Sequence, residues 1–447
     1  MKIPLKKTPA IHRPRNKVLG VPELIAIALG GMVGGGIFTI LGISVSMIGV
    51  YTPLAIALGG IVAAMAAYSY IKLGVYYKDE GSTYAFYKKT FPKSPFAASL
   101  IGWWVIFGYI STLALYSYTF ASYAISGFTF ADNEWIRKLV AGGIISVFTL
   151  VNILSVKGMG KIEDLMVYTK LVILVVISFV LINNSNTTLP TLIEHNGTIS
   201  ILDIMIVASI TFVAYEGFEL VINAVNEMEK PEKNIPRAIY AAIFLAILIY
   251  LVIALGAILT IPFADIIQNK EYALASGADK ILGHWGTELV IIGALLATSS
   301  AISGTVFGAS RQMSAIAEDR YLPAYLTKHS RRIPVYAVLT LSALAFVLVL
   351  SGSLQLILEF GSVTFLIISL LMAFANFRIR HQTNSSAFIT LTSLFGLAVA
   401  TVLVFYSEIS TQPVQMALIL GTYILLTIGA WLYAKKVRRK NRLGVLG

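Results

Sequence analysis

Apolar residues form long, closely spaced segments along this chain, and only short polar connections separate them. A helix that crosses a bilayer needs about 20 mostly apolar residues. By that criterion the pattern predicts an all-α integral membrane protein with twelve transmembrane helices. The predicted helices lie near residues 22–48, 53–76, 96–124, 138–157, 163–183, 201–226, 237–261, 288–312, 334–351, 357–377, 387–406 and 413–434.

Charged residues make up only 13% of the 447 residues, whereas a soluble globular chain carries about 25%. So few charges cannot coat a water-exposed surface of this size. No polar domain separates the apolar segments, so the composition agrees with a single membrane domain. We predict a transmembrane domain at 21–434, with cytoplasmic tails at 1–20 and 435–447.

The basic residues are concentrated on one predicted face of the membrane. An even number of helices places both termini on the same side, and that side carries 29 Lys and Arg residues against four on the other. By the positive-inside rule both termini are then cytoplasmic. The same asymmetry accounts for the net charge of +12 without a nucleic-acid partner. We therefore expect a multi-pass protein of the cell membrane, and the pattern leaves its oligomeric state open.

Several function classes are disfavoured by what the chain lacks. It contains no cysteine, and its five histidines are scattered and never spaced i, i+4. We therefore expect no metal centre, no cofactor and no enzyme activity. The glycine run at 30–36 lies inside an apolar segment, so it does not have the strand-to-helix context of a phosphate-binding loop.

The first predicted helix contains five glycines within seven positions. Each of them weakens a helix by about 1 kcal/mol relative to alanine. A broken helix is tolerated in a membrane where its freed backbone groups line a cavity or are buried in protein, and N–H groups at a half-helix N-terminus suit a carboxylate. The alternative is close helix packing through small residues spaced four apart. The glycines are Gly30, Gly31, Gly34, Gly35 and Gly36.

The sixth predicted helix contains two carboxylates, Glu216 and Glu219, on either side of Gly217. Carboxylates are expensive inside a membrane and mark functional sites there. Gly217 between them offers a second helix break. Glu216, beside the glycine, is the better candidate for a residue of the transport pathway, while Glu219 can equally be a buried, hydrogen-bonded strut.

One basic residue, Lys170, lies deep within a predicted helix rather than near a helix end, in a loop or in a tail. It is eight residues into the fifth helix, about 12 Å from the end at 1.5 Å per residue. Its ammonium can either extend towards the membrane surface or stay buried. A buried amine can take up and release a proton near neutral pH, because desolvation disfavours its charged form.

These motifs together resemble those of the amino acid–polyamine–organocation (APC) superfamily. The glycine run followed by Ile37 and Phe38 resembles its first-helix motif, and residues 214–219 resemble its sixth-helix motif. The resemblance covers about residues 15–380. Further matching segments are Asn223 to Ile239, Gly81 to Tyr84, Ser310-Arg311 and Ala317 to Pro323.

The resemblance implies a LeuT-type fold, in which two inverted repeats of five helices carry broken helices 1 and 6. The repeats would lie at about 22–183 and 201–377, with helices 11 and 12 added at about 387–434. The substrate would bind at the two breaks, beside Glu216 and Gly217. Its carboxylate would meet N–H groups around Gly34, Gly35 and Gly36, and its amino group would meet carbonyls near Gly31, Phe212, Ala214 and Tyr215.

The resemblance also implies a role for Lys170, which aligns with a fifth-helix lysine of several proton-coupled or exchanging members. The ammonium would occupy the place that sodium fills in other relatives, near the Gly30 carbonyl and either Ser299 or Ser300. Transport would then not need sodium. Glu219 is a further candidate for proton coupling. Glu216 would favour a cationic substrate if it points into the pocket, and would leave the pocket neutral if it points away.

We therefore predict a secondary active transporter, a permease for amino acids or related amines, that is coupled to protons and works by alternating access. One alternative is an obligatory exchanger of amino acids or amines. An alternative from another class is a non-transporting membrane sensor or partner-binding subunit on the same fold.

Overall fold

The computed structural model describes residues 19–154, 159–185, 187–195, 199–269, 272–330 and 333–442. Within these ranges the regular structure is helical, with two isolated β-bridges and no β-strand. The α-helices are α1 (Val21–Met32), α2 (Gly36–Ile48), α3 (Thr52–Tyr77), α4 (Ser82–Thr90), α5 (Pro95–Ile125), α6 (Glu134–Leu154), α7 (Met159–Asn183), α8 (Leu189–His195), α9 (Ile201–Thr211), α10 (Leu220–Asn223), α11 (Pro231–Thr260), α12 (Phe263–Gln268), α13 (Ala273–Glu318), α14 (Val335–Ser351), α15 (Leu354–Arg378), α16 (Ala387–Thr411) and α17 (Pro413–Arg442).

The predicted all-α membrane architecture is confirmed in its coarse form. Ten helical stretches of the described chain are long and apolar enough to cross a membrane. One of them, Gly36–Tyr77, combines α2 and α3, which lie on the first and second predicted spans. Helices α1 and α14 are apolar but shorter. The count of twelve spans and the repeat relationship stay predictions, because length and composition alone give ten.

Two of the helical segments are interrupted in mid-course. Helix α1 ends at Met32 and α2 begins at Gly36, with Val33 (φ −82°, ψ 66°) outside helical geometry. The second interruption follows a 3-10 turn, Phe212–Tyr215, that continues α9. Glu216 is extended there, and α10 begins only at Leu220. We refer to residues 33–35 as the first break and to residues 216–219 as the second break.

The central helices of the bundle differ sharply from the peripheral ones in burial. In the most apolar window of α5 78% of residues are buried, and in α15 83%, whereas α16 and α17 reach only 28% and 22%. Large apolar side chains such as Phe388 and Phe395 stay exposed on α16. A surface of this kind is stable against hydrocarbon and not against water. The helical segments next to the breaks pack against α3, α5, α11, α13 and α15.

Two other elements differ from the predicted pattern. The eighth predicted span, 288–312, lies within the longer helix α13, which runs on to Glu318 and bends at Gly283 (φ +64°). Residues 1–18 and 443–447 of the predicted tails lie outside the described residues. Leu19 pairs with the loop that follows α10: it donates to the Glu227 carbonyl and accepts from the Glu229 amide, each at 3.1 Å.

Candidate substrate site

The two breaks lie directly against each other, backbone to backbone. A Cβ atom on Gly217 would lie only 2.6 Å from the carbonyl carbon of Gly31, and a Cβ atom on Gly36 would lie 2.9 Å from the Cα of Ala214. Gly217 also has φ +115°, which side-chain-bearing residues rarely adopt. Any larger residue at Gly217 would therefore both strain the backbone and push the breaks apart.

The other glycines of the first break pack against neighbouring helices. A Cβ atom on Gly34 would lie 2.8 Å from Ala301 and 3.0 Å from the Tyr116 ring, and one on Gly35 would lie 3.1 Å from Thr119. The interpretation as a helix break and the interpretation as close packing therefore both describe this glycine run. The amides that open α2, from Gly36 onwards, belong to the first turn of a helix, whose N–H groups have no partner within it.

One hydroxyl bridges the two breaks. Tyr250 of α11 places its Oη atom 2.6 Å from the Met32 carbonyl oxygen and 3.0 Å from that of Ala214. Tyr116 of α5 donates to the Gly31 carbonyl at 3.3 Å. Sequence reasoning missed both tyrosines. Both place a phenolic hydroxyl in the middle of an apolar segment, which could have marked them. The chain has so many tyrosines, however, that this feature does not distinguish these two from the others.

Glu216 lines two small cavities of about 10 and 30 Å³. Its Oε2 atom accepts from the Thr112 hydroxyl at 3.4 Å, and its Oε1 atom has no hydrogen-bond partner among the described residues. Both cavities are lined by Glu216, Glu219 and Tyr109. The carboxylate is 6% exposed, so a ligand in either cavity would meet an almost fully desolvated acidic group.

Glu219 stabilises the second break. Its Oε2 atom accepts from the Gly217 amide at 3.0 Å. A continued 3-10 turn would direct that amide to the Ala214 carbonyl instead, so the side chain takes over a backbone acceptor that the break removes. The structural interpretation of Glu219 thus has a clear basis, and the residue also lines both cavities.

Lys170 is fully buried and does not extend to the membrane surface. Its Nζ atom donates to the carbonyl oxygen of Gly30 at 3.0 Å, and its exposed fraction is 0%. Gly30 lies in the last turn of α1, where the helix dipole favours a positive charge. Of the two predicted serines, Ser299 is half-buried. Ser300 is buried, and its hydroxyl has no hydrogen-bond partner in the described part of the chain.

The structure separates the predicted substrate-site residues into two groups. Gly31, Phe212, Glu216 and Gly217 line the cavities. Tyr215 instead donates to the Ile56 carbonyl of α3 at 2.8 Å, and its ring packs at a tilt against that of Tyr250. Gly34, Gly35, Gly36 and Ala214 contribute backbone at the breaks rather than cavity lining.

Two motif segments singled out by the sequence meet at the predicted cytoplasmic side. Tyr84 of α4 donates to Asp319 at 2.7 Å, and Lys88 forms an ion pair with the same carboxylate at 2.5 Å. Burial, together with the negative charge of Asp319, raises the pKa of the Tyr84 hydroxyl. Tyr84 is therefore a neutral donor that links α4 to the end of α13.

Adjoining breaks in an apolar helical bundle, lined by buried carboxylates, define a polytopic transporter-like membrane protein. Residues 19–429 match the amino acid permease family, and the chain belongs to that family. It is accordingly a multi-pass membrane transporter rather than an enzyme, and the predicted APC resemblance is confirmed.

Relatives align with most of the chain. The inner membrane transport protein YbaT of Escherichia coli is 30% identical, with 93% of this chain and 96% of the relative covered. An uncharacterized protein of Methanocaldococcus jannaschii is 29% identical, covering 95% and 97%. The chloroplastic cationic amino acid transporter 7 of Arabidopsis thaliana is 25% identical, covering 81% of this chain and 65% of the relative.

Proposed function

We propose that this permease carries an amino acid or related amine by proton-coupled, sodium-independent alternating access. The observation that carries the proposal is the buried Lys170 ammonium on the Gly30 carbonyl. When it is protonated, this amine supplies a positive charge beside the first break, so a sodium ion is not needed there. Binding or release of a proton at this position would also change the strength of the hydrogen bond that joins α7 to α1.

The substrate would bind at the breaks. Its carboxylate would meet amides around Gly34, Gly35 and Gly36, because the start of α2 is the positive end of a helix dipole. Its ammonium would meet carbonyls near Gly31, Phe212, Ala214 and Tyr215. A zwitterion is matched by this arrangement, since the amides that open α2 are donors and the carbonyls before the two breaks are acceptors.

Proton movement would involve Lys170 with the Gly30 carbonyl and the Ser299 and Ser300 hydroxyls. The unpartnered Ser300 Oγ atom is an acceptor that a moved ammonium can use. Glu219 is a second candidate for carrying a proton, because it is 5% exposed and faces the cavities. Protonation of the Glu219 carboxylate would weaken its hydrogen bond from the Gly217 amide, and this would destabilise the backbone of the second break.

Transport into proteoliposomes tests this function. A thermal-shift screen of the common L-amino acids and of putrescine and spermidine first identifies a ligand. Uptake of that radiolabelled ligand is then measured with an inward proton gradient, with and without sodium. We expect accumulation that follows the pH gradient and ignores sodium. Accumulation that needs sodium and ignores pH would exclude the mechanism.

The same vesicles distinguish the alternatives. An obligatory exchanger would release internal label only when external substrate is present. A non-transporting sensor or partner-binding subunit would give a thermal shift without flux. Net accumulation in vesicles that contain no substrate excludes both.

The membrane orientation belongs to the same proposal, with both termini on the cytoplasmic side of the cell membrane and a LeuT-type arrangement of twelve helices. Because the chain contains no cysteine, single cysteines can report orientation without background. Cysteines at Lys435 and at Lys89 should react with an impermeant reagent only after the membrane is opened. A cysteine at Trp135 should react from outside in intact cells.

A further inference from the structure

A side chain from a third helix, Tyr250 of α11, lies between the two breaks at the point where they meet, which we call the junction. Tyr250 has 0% exposure, and its hydroxyl approaches the carbonyls of Met32 and Ala214 at 2.6 and 3.0 Å. Met32 immediately precedes the first break and Ala214 lies just before the second, about 180 residues further along the chain. The hydroxyl is therefore a direct polar link between them.

A tyrosine hydroxyl carries one proton and can donate to only one acceptor at a time. The Met32 carbonyl also accepts from the Gly34 amide at 2.9 Å. The Ala214 carbonyl has lost the donor of a continued 3-10 turn, because the Gly217 amide points to Glu219. Two carbonyl oxygens thus converge on a point that one proton cannot fully satisfy.

An ammonium group carries three donors and suits such a pair of carbonyls better than a hydroxyl does. The proposed substrate brings an ammonium to this region. When no substrate is bound and water is excluded, the hydroxyl is the donor that keeps the Ala214 carbonyl from being buried without a partner. When substrate is bound, the ammonium can supply that donor itself.

We propose that the Tyr250 hydroxyl stands in for the substrate ammonium while the carrier is empty. It is a positioning residue, and this role rests on the proposed transport function. Its hydroxyl donates to the Ala214 carbonyl while the empty carrier passes through its closed form. Net transport requires this return of the empty carrier, whereas exchange does not.

The test compares net uptake with exchange in Tyr250→Phe. The probe is a radiolabelled mixture of the common L-amino acids. Net uptake is measured in vesicles without internal amino acid, and exchange in vesicles preloaded with the unlabelled mixture. We expect net uptake to fall about tenfold, the factor that corresponds to one unsatisfied buried carbonyl. The exchange rate should stay within about twofold of wild type. In exchange the carrier holds substrate in both reorientation steps, so the substrate ammonium is always present.

The matched control is Tyr423→Phe. Tyr423 is a buried tyrosine of α17 whose hydroxyl bonds Thr364, away from both breaks. It should leave the ratio of exchange to net uptake unchanged. If Tyr250→Phe lowers both modes by the same factor, or neither, the proposal is wrong. If wild-type protein binds amino acids but carries none in either mode, the proposed transport function fails instead.

A measurement on the wild-type protein covers the case in which Tyr250→Phe does not fold. In an experimental structure with a bound amino acid from the same mixture, the ammonium nitrogen should lie within hydrogen-bond distance of the Ala214 carbonyl oxygen. The Tyr250 hydroxyl should then keep only the Met32 carbonyl. An ammonium bound elsewhere, with Tyr250 still close to both carbonyls, would overturn the proposal.

Discussion

The ammonium of Lys170 lies 3.0 Å from the carbonyl oxygen of Gly30, and no part of this side chain reaches the surface. The contact joins α7 to the last turn of α1, immediately before the first break. A buried charge is strongly destabilising unless it has partners, so the strength of this contact depends on whether the amine carries a proton. That dependence is the physical basis for the expected coupling.

Replacing Lys170 by glutamine should uncouple transport from the pH gradient. The amide can still donate to the Gly30 carbonyl, but it cannot exchange a proton near neutral pH. One coupled proton can concentrate substrate about tenfold per pH unit, so wild-type accumulation should rise by that factor and accumulation by Lys170→Gln should stay near one. Exchange should persist. Lys435→Gln, on the peripheral helix α17, is the control, and pH-driven accumulation by Lys170→Gln would contradict the role.

Replacing Glu216 by glutamine should change selectivity. If the carboxylate pairs with a cationic substrate, its loss should weaken binding of lysine or putrescine by roughly 10-fold to 100-fold, the range for a hydrogen bond to a charged group. Neutral amino acids should bind within about twofold of wild type. Ligand-induced thermal shifts measure both.

Glu408→Gln provides the comparison for Glu216→Gln, because Glu408 is a buried carboxyl on α16 that lines neither cavity. It should leave selectivity unchanged. An equal change in the binding of cationic and neutral ligands by Glu216→Gln would remove its specificity role and leave the neutral-pocket alternative.

A methyl group at Gly217 should damage both stability and transport. Alanine there must adopt φ near +115° and place its Cβ against Gly31. Each of these two effects costs about 1–3 kcal/mol, so Gly217→Ala should lower the melting temperature clearly and reduce uptake more than about tenfold. Gly421→Ala is matched to it, because nothing lies within 4 Å of a Cβ atom there. It should be neutral or slightly stabilising, and equal effects of the two changes would contradict the close approach.

Loss of the Tyr84 hydroxyl should weaken the contact of α4 with α13. Tyr84→Phe removes the donor to Asp319 and should lower the free energy of unfolding by about 1.5–3 kcal/mol. The raised pKa keeps this hydroxyl protonated in the folded protein, and in the unfolded chain it titrates only near 10.0. The stabilisation is therefore fully present below that pH and is lost only above it. The melting-temperature difference from wild type should stay constant between about pH 6 and 9, and a difference that changes in that range would contradict this assignment.

Much of the architecture follows from local sequence. Long apolar segments predict a helical membrane protein because the bilayer offers no partner for free backbone groups. The glycine run around Gly34 and the single Gly217 predict interruptions because glycine weakens a helix wherever it occurs. Lys170 attracts attention because a charge inside an apolar segment is expensive. These inferences need no knowledge of which helices are neighbours.

The roles of individual side chains depend on contacts between distant segments. Sequence placed Glu216 and Glu219 three residues apart, and both line the cavities. Only the backbone of the second break decides that Glu219, and not Glu216, accepts from the Gly217 amide. Tyr250 is ordinary in sequence and becomes important because α11 brings it between Met32 and Ala214. Hydrophobicity and helix propensity are properties of a segment, so the sequence by itself determined the membrane fold and its weak points. Hydrogen-bond partners are a property of packing, so only the tertiary structure decided which groups meet at those points.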